Sequence, residues 1–157
     1  MSAQENFPRI TPFLWFNANA EEAVEFYLTV FKNSCRISEL RTTDDSFLPK
    51  ESILTIAFEL EGQKFTALNG GPSHKFTEAV SFLVRCDSQE EVDDYWAKLT
   101  SGGSKIAYGW LKDKFGLSWQ IVPARLPELI QHPKAMQAMM TMRKIDIAET
   151  ERAATSQ

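Results

Sequence analysis

Alternation of hydrophobic and polar residues predicts a β-α-β-β-β order in the first half of the chain. Strand-like runs occur at residues 10–16, 35–42, 53–60 and 64–69. Between the first two runs, apolar side chains from Ala20 to Phe31 recur at helical spacing, and Asn19 is a candidate N-cap. Glu61 and Gly62 favour a tight turn between the last two runs.

The second half repeats this plan. A run at residues 79–86 precedes Ser88, which opens a capping-box sequence for a helix ending near Gly102 and Gly103. Shorter strands are predicted at residues 105–108, 110–112 and 117–123, and Asp113 is expected to serve the turn before the last of them. Phe13 and Phe82 (82 − 13), like Tyr27 and Trp96 (96 − 27), are 69 residues apart. The shared offset favours an internal repeat over a chance likeness of two capped amphipathic helices.

The length of 157 residues and the apolar content of 43% indicate one domain over residues 1–157. We divide it into a first module at residues 8–72, a second at 79–123 and a helical segment at 124–148. Helices are predicted at residues 126–130 and 134–147. Residues 1–7 and 149–157 are expected to be irregular or frayed.

Charge and cysteine content narrow the functional classes. A formal net charge of -4 disfavours nucleic acid as a partner, because neutralising phosphates needs clustered Lys and Arg. No long apolar run or charged leader is visible, so we expect no membrane association and a cytoplasmic location. Cys35 and Cys86 are isolated, and we interpret both as buried small hydrophobic residues.

Four short segments carry a family resemblance: ITPFLWFN at 10–17, LNGGP at 68–72, GWLKD at 109–113 and SWQIVP at 118–123. In them the chain resembles the PhnB-like family of the vicinal oxygen chelate (glyoxalase/bleomycin resistance/dihydroxybiphenyl dioxygenase) superfamily, often named after a 3-demethylubiquinone-9 3-methyltransferase. The resemblance implies an α+β fold with two tandem βαβββ modules, which form curved mixed half-barrel sheets around a cavity, plus a C-terminal helix. It also implies a homodimer.

The same resemblance implies metal-ligand positions on the first and last strand of each module. Strand parity places Ser81 and Gln120 at two of them, and matching the modules adds Pro12 and Thr66. Hydroxyls and amides are weak transition-metal ligands, so we expect no metal and no other cofactor. His74 and His132 are interpreted as surface residues.

A cavity without metal can still bind a ligand. We predict Thr66, Ser81, Arg85 and Gln120 as its polar groups and Trp110 as an aromatic contact. Trp15, Trp96 and Trp119 are expected to face the helices, and the apolar wall is expected to consist of Leu14, Phe16, Leu83 and Val122. An inward Arg85 suggests a carboxylate or phosphonate on the ligand; the alternative is an internal ion pair.

The preferred hypothesis is therefore a protein that binds a small organic molecule. The alternative is a glyoxalase-like lyase, isomerase or other enzyme acting on a small substrate, with Arg85, Gln120 and Asp113 as candidate positioning residues. No catalytic residue can be assigned. Methyl transfer is the least favoured function, because no glycine-rich strand-to-helix turn for an adenosyl cofactor occurs. The Met136 to Met142 segment could supply a dimer interface, or it could simply pack on a sheet edge.

Overall fold

The first module is a four-stranded sheet with one helix on one face. The computed structural model describes residues 7–156. The elements of this module are β1 (Phe13–Phe16), α1 (Ala20–Val30), β2 (Ser34–Arg41), β3 (Ile53–Leu60) and β4 (Gln63–Asn69). The strand order is β1-β4-β3-β2; β1 runs parallel to β4, and the other neighbours are antiparallel. Glu61 and Gly62 both have positive φ, as the predicted tight turn between β3 and β4 requires.

An aromatic core joins α1 to this sheet. Tyr27 of α1 is fully buried, and its ring stacks on Phe58 of β3 at 6.3 Å between centroids. Phe58 in turn stacks on Phe65 of β4 at 5.3 Å. Alternate residues in the second half of β3 and along β4 are buried in this layer, as expected for a sheet covered on one face.

The second module repeats the order of the first. Its elements are β5 (Ser81–Cys86), α2 (Gln89–Thr100), β6 (Ser104–Lys105), β7 (Trp110–Lys112) and β8 (Ser118–Pro123). The strand order is β5-β8-β7-β6, again with one parallel pair, β5 and β8. Two tandem βαβββ modules with open, mixed sheets confirm the predicted α+β fold class.

The repeat has two offsets rather than one. Thr66 and Gln120 occupy equivalent positions on the last strands of the two modules. Phe13 pairs with Thr66 and Leu83 pairs with Gln120, so Phe13 corresponds to Leu83, 70 residues away (83 − 13). The helix offset stays at 69, from Ala20 to Gln89 (89 − 20). Three residues connect β1 to α1, but only two connect β5 to α2. The prediction that strand and helix share one offset was therefore wrong by one residue, which moves a side chain to the other face of a strand.

Three short helices follow β8: α3 (Leu126–Leu129), α4 (Pro133–Met139) and α5 (Ile147–Thr155). The predicted continuous helix at residues 134–147 is wrong, since the chain leaves helical geometry after Met140 and restarts after Asp146. The predicted fraying of residues 149–155 is also wrong. Asp146 caps α5 by accepting a 2.9 Å hydrogen bond from the Glu149 N–H. The expectation that the first residues are irregular falls mainly on residues 1–6, outside the described part of the chain.

Other expectations need smaller corrections. Cys86 is buried, but Cys35 is exposed because it lies on β2 at the edge of its sheet. The predicted strand at 105–108 is reduced to Ser104–Lys105, since Tyr108 and Gly109 adopt positive φ. Chain contacts divide the protein into two compact units, Met1–Lys75 and Phe76–Gln157. Within residues 7–156, no helix combines the length and apolar character that crossing a membrane requires.

Candidate ligand-binding face of the second module

One face of the second sheet carries four of the five residues predicted to bind a ligand. Helix α2 packs on β5, β7 and β8, against the side chains of Leu111, Trp119 and Ile121, all buried. Strand alternation places Ser81, Arg85, Trp110 and Gln120 on the opposite face, which we call the open face.

Gln120 lies at the centre of the open face. Its Nε2 donates a 2.9 Å hydrogen bond to Ser81 Oγ. Leu83 is its direct partner on β5 and Trp110 its direct partner on β7. Leu83 is 57% exposed and Trp110 is half-buried, so the Gln120 amide lies between two accessible apolar side chains, with the Ser81 hydroxyl in the neighbouring row. A few placed polar groups among apolar contacts can fix the orientation of a small molecule.

Arg85 lies at one end of the open face. Its partner on β8 is Val122, two residues beyond Gln120 and about 7 Å along the strand. Val122 is buried in a cluster with Leu126, Met139 and Ile145. It is therefore not accessible as the apolar wall that the sequence analysis predicted. No carboxylate pairs with Arg85 within residues 7–156. The guanidinium is exposed, and the internal ion pair considered from the sequence is not formed among these residues.

The opposite end of the open face holds two residues that the sequence analysis did not select. Ser118 lies between Ser81 and Lys112 in the strand register. Ser118 is fully buried, and its Oγ has no hydrogen-bond partner in the described chain. The Lys112 ammonium forms an ion pair with Glu78, which lowers the pKa of that carboxyl through a hydrogen bond. Ser118 lies two residues from Gln120 on β8, and Lys112 lies two residues from Trp110 on β7. This alternation was the signal available in the sequence.

Asp113 stabilises the turn between β7 and β8, as predicted. Its Oδ1 accepts hydrogen bonds from the Phe115 and Leu117 N–H groups at 2.8 and 3.1 Å. Its Oδ2 accepts a 2.9 Å hydrogen bond from Trp119 Nε1. Asp113 is 3% exposed. The carboxylate is thus committed to the β7-β8 hairpin and to the core, which leaves it poorly placed to contact a substrate.

Thr66, the fifth predicted residue, lies on the equivalent face of the first module. It pairs with Phe13, whose side chain is 60% exposed. Trp15 lies two residues along β1, and its Nε1 donates a 2.9 Å hydrogen bond to the Gly71 carbonyl. The ring of the exposed His74 meets it edge-on at 4.6 Å.

The first strand therefore has the reverse of the predicted facing. Leu14 and Phe16 are buried beside Ala67 and Asn69 on the helix side, whereas Trp15 is not. Leu14 and Phe16 are thus not cavity wall, and Trp15 does not face α1. The same shift removes Pro12 from the set of metal-ligand positions, because it shares the parity of Leu14.

The donor set does not fit a metal ion. Thr66, Ser81 and Gln120 offer neutral hydroxyl and amide oxygens, which bind divalent transition metals weakly. Within residues 7–156, no three His, Cys, Asp or Glu side chains are grouped so that they could hold a metal. His74 and His132 are both exposed, as expected.

Both modules, up to the last residue but one of β8, fall within one family model. The model is described as 3-demethylubiquinone-9 3-methyltransferase, and it matches residues 8–122. The chain belongs to this family. The family match ends at Val122, so it includes the open face but not α3, α4 or α5.

One solved structure supports both the family and the fold, and a second supports the fold. A PhnB protein from Bacillus cereus is 32% identical, with 74% of this chain and 100% of that chain covered and a TM-score of 0.67. A Pseudomonas aeruginosa protein is 22% identical, covers 74% of this chain and 98% of its own, and has a TM-score of 0.58. No curated protein matches the chain.

A more distant neighbour shares the fold. It is the fosfomycin resistance protein FosX from Listeria monocytogenes, in complex with Mn(II) and sulfate. The two chains are 15% identical, with 79% of this chain and 95% of that chain covered and a TM-score of 0.54. At this identity the likeness concerns the fold alone.

Proposed function

We propose that this protein binds a small organic molecule on the open face of its second module. The observation that carries the proposal is Gln120, which lies between the accessible side chains of Leu83 and Trp110 and donates a hydrogen bond to Ser81 in the neighbouring row. Gln120 retains its amide oxygen and Ser81 its hydroxyl hydrogen for a ligand. Leu83 and Trp110 supply the apolar contact area that favours binding in water.

Arg85 gives the proposed ligand a preferred charge. An exposed guanidinium without a carboxylate partner favours a carboxylate, phosphate or phosphonate group, which it can bind with two hydrogen bonds. On the first module, Thr66 beside the exposed Phe13 is proposed as a separate candidate contact for a ligand.

The family description names methyl transfer, yet the residues favour binding. Adenosyl cofactors are commonly held by a glycine-rich turn between a strand and a helix. The strand-to-helix connections here read Asn17-Ala18-Asn19, Asp87-Ser88 and Ala124-Arg125, and none of the three contains glycine. The neutral donors at Ser81 and Gln120 likewise disfavour the metal binding that the name of the FosX complex records.

A ligand screen by thermal unfolding tests this proposal. The compounds should pair an apolar body with a carboxylate, a phosphonate or a neutral polar group. A ligand at 100 times its dissociation constant stabilises the folded state by about 2.7 kcal/mol, which is readily detected. We expect the stabilisation to be lost in Gln120→Ala and retained in Gln131→Ala, an exposed glutamine outside the strands. A screen in which no compound stabilises the protein, or in which both variants respond alike, contradicts the proposal.

We also propose that the protein is a cytoplasmic homodimer. Two methionines one turn apart on and just after α4 are accessible: Met136 is 38% and Met140 53% exposed. Flexible thioether side chains adapt well to a partner surface. Light scattering should then give a dimer mass for the natural protein and for Met140→Leu, and a monomer mass for Met140→Glu. A monomer mass for the natural protein at all concentrations contradicts the homodimer.

A further inference from the structure

We propose that Ser81, Ser118 and Lys112 form an oxyanion subsite at the end of the open face opposite Arg85, in which Glu78 is an internal counter-ion that a second anionic group of the ligand displaces. This subsite rests on the proposed function, because it would hold one end of the ligand whose body contacts Leu83 and Trp110. The chemical class of the bound group is a carboxylate, phosphate or phosphonate.

The strand register places the three residues in one row. Ser81 of β5 pairs with Ser118 of β8, and Ser118 pairs with Lys112 of β7. Directly paired residues point to the same side of a sheet, and neighbouring strands are about 4.8 Å apart. Two hydroxyls and an ammonium therefore share one end of the open face within roughly 10 Å.

Ser118 provides an independent indication of a ligand. A buried hydroxyl without a hydrogen-bond partner is unfavourable, and native proteins retain few of them. Ser118 Oγ is in this condition within the described residues. Its neighbour Ser81 already accepts a hydrogen bond from Gln120 and so has a hydrogen left to donate. An anionic oxygen at this row would accept from both hydroxyls.

Glu78 supplies the matching negative charge in the absence of ligand. Its carboxylate pairs with the Lys112 ammonium, and it lies in the exposed segment before β5, outside any strand or helix. An exposed ion pair contributes little stability, so a ligand oxyanion can replace the carboxylate at small cost. When the pair separates, the Lys112 ammonium is released to pair with the ligand oxyanion.

Phosphate titration of single variants tests the subsite. Inorganic phosphate is the probe, and its dissociation constant is measured by amide chemical shifts. Glu78→Gln removes the competing carboxylate and should tighten phosphate binding about threefold, the scale of one exposed ion pair. Lys112→Gln should weaken binding about fivefold or more. Ser118→Ala should weaken it to a similar degree while leaving stability unchanged or raised, since it removes an unsatisfied hydroxyl.

A second ion pair of the same module is the matched control. Lys98 and Asp94 pair at 3.0 Å on the exposed surface of α2. Lys98→Gln and Asp94→Asn should not change the phosphate affinity. If Glu78→Gln fails to tighten binding, or if Lys98→Gln weakens it as much as Lys112→Gln, the subsite is wrong.

The subsite and the proposed function can fail separately. An organic ligand whose binding depends on Gln120, in a protein that does not bind phosphate, would leave the proposed function standing and remove the subsite. Phosphate binding with the expected variant pattern, in a protein that no organic compound stabilises, would support the subsite and remove the proposed function.

Discussion

Asn69 Oδ1 accepts a 2.9 Å hydrogen bond from the Ala20 N–H, across 49 residues of sequence. Asn69 Nδ2 also donates a 3.0 Å hydrogen bond to the Ile53 carbonyl. Asn19 occupies the N-cap position of α1 but makes no side-chain cap hydrogen bond. The start of α1 is therefore capped by the last residue of β4, which fixes the helix to the sheet that it covers.

Replacing Asn69 should accordingly cost more than replacing Asn19. We expect Asn69→Ala to lower the free energy of unfolding in urea by about 1–3 kcal/mol, because it leaves a buried N–H and a carbonyl unpaired. Asn19→Ala should cost less than about 0.5 kcal/mol. Ser88→Ala is the positive control at about 1 kcal/mol, since Ser88 Oγ accepts the Glu91 N–H at 3.2 Å. Equal losses for Asn69→Ala and Asn19→Ala would show that α1 is not capped from β4.

Asp113→Asn should destabilise the second module and leave the side chains of the open face unchanged. The amide can still accept the two turn hydrogen bonds, but its NH2 group cannot accept from Trp119 Nε1. An unpaired buried indole N–H costs about 1–3 kcal/mol. Urea unfolding measures the loss, and Asp94→Asn on the surface of α2 is the control, at about 0.5 kcal/mol or less. A loss no larger than that of the control would mean that the Trp119 contact adds no stability.

The elements of the fold were predictable where the pattern is local and periodic. The bounds of β3 and β7 were predicted as the structure has them, and the capping box at Ser88 located α2. The break after Met140 was missed, because helix-forming residues continue through it and tertiary contacts end the helix there. Tyr108 N–H and Gly109 N–H donate to the carbonyls of Met142 and Arg143, which holds residues 142–143 against the β6-β7 connection.

The candidate site was predictable only in the second module. There the apolar alternation of Val80, Phe82 and Val84 predicted the facing of Ser81, and Trp119 and Ile121 predicted that of Gln120. In β1 every residue from Phe13 to Phe16 is apolar, so alternation carries no information about facing. The facing was inferred from the repeat instead, and the three-residue connection before α1 made that inference wrong by one position.

Gly70→Ala should be destabilising because of one side chain. A Cβ atom at Gly70 would lie 2.3 Å from the Trp15 ring, so the indole must shift. Forced repacking of this kind costs about 1–3 kcal/mol. It should also lengthen or break the hydrogen bond between Trp15 Nε1 and the Gly71 carbonyl, and thus change the tryptophan emission. Gly62→Asn is the control, since it has open space and a φ of 86° that Asn tolerates. Unchanged stability and emission in Gly70→Ala would contradict the close packing of Trp15.

Cys86 should make the protein less stable in alkali. Burial raises the pKa of its thiol from 9.0 to about 12, with the charges of Glu91 and Asp87 adding to the effect. Between pH 9 and 12 the unfolded chain loses the thiol proton while the folded chain keeps it. The free energy of unfolding should therefore fall through this window as pH rises, by at most about 1.4 kcal/mol per pH unit for one proton.

Urea unfolding at a series of pH values isolates this contribution by comparing variants. Cys86→Ala removes the titrating thiol, so its stability should fall less steeply above pH 9 than that of the natural protein. Cys35→Ala, which alters an exposed thiol, is the control for the loss of a thiol as such. In the native state, a thiol reagent should modify Cys35 quickly and Cys86 only after unfolding, because the buried thiol is both protonated and shielded. Rapid modification of both thiols in the native protein, or identical pH slopes in all three proteins, would show that Cys86 is not held in this environment.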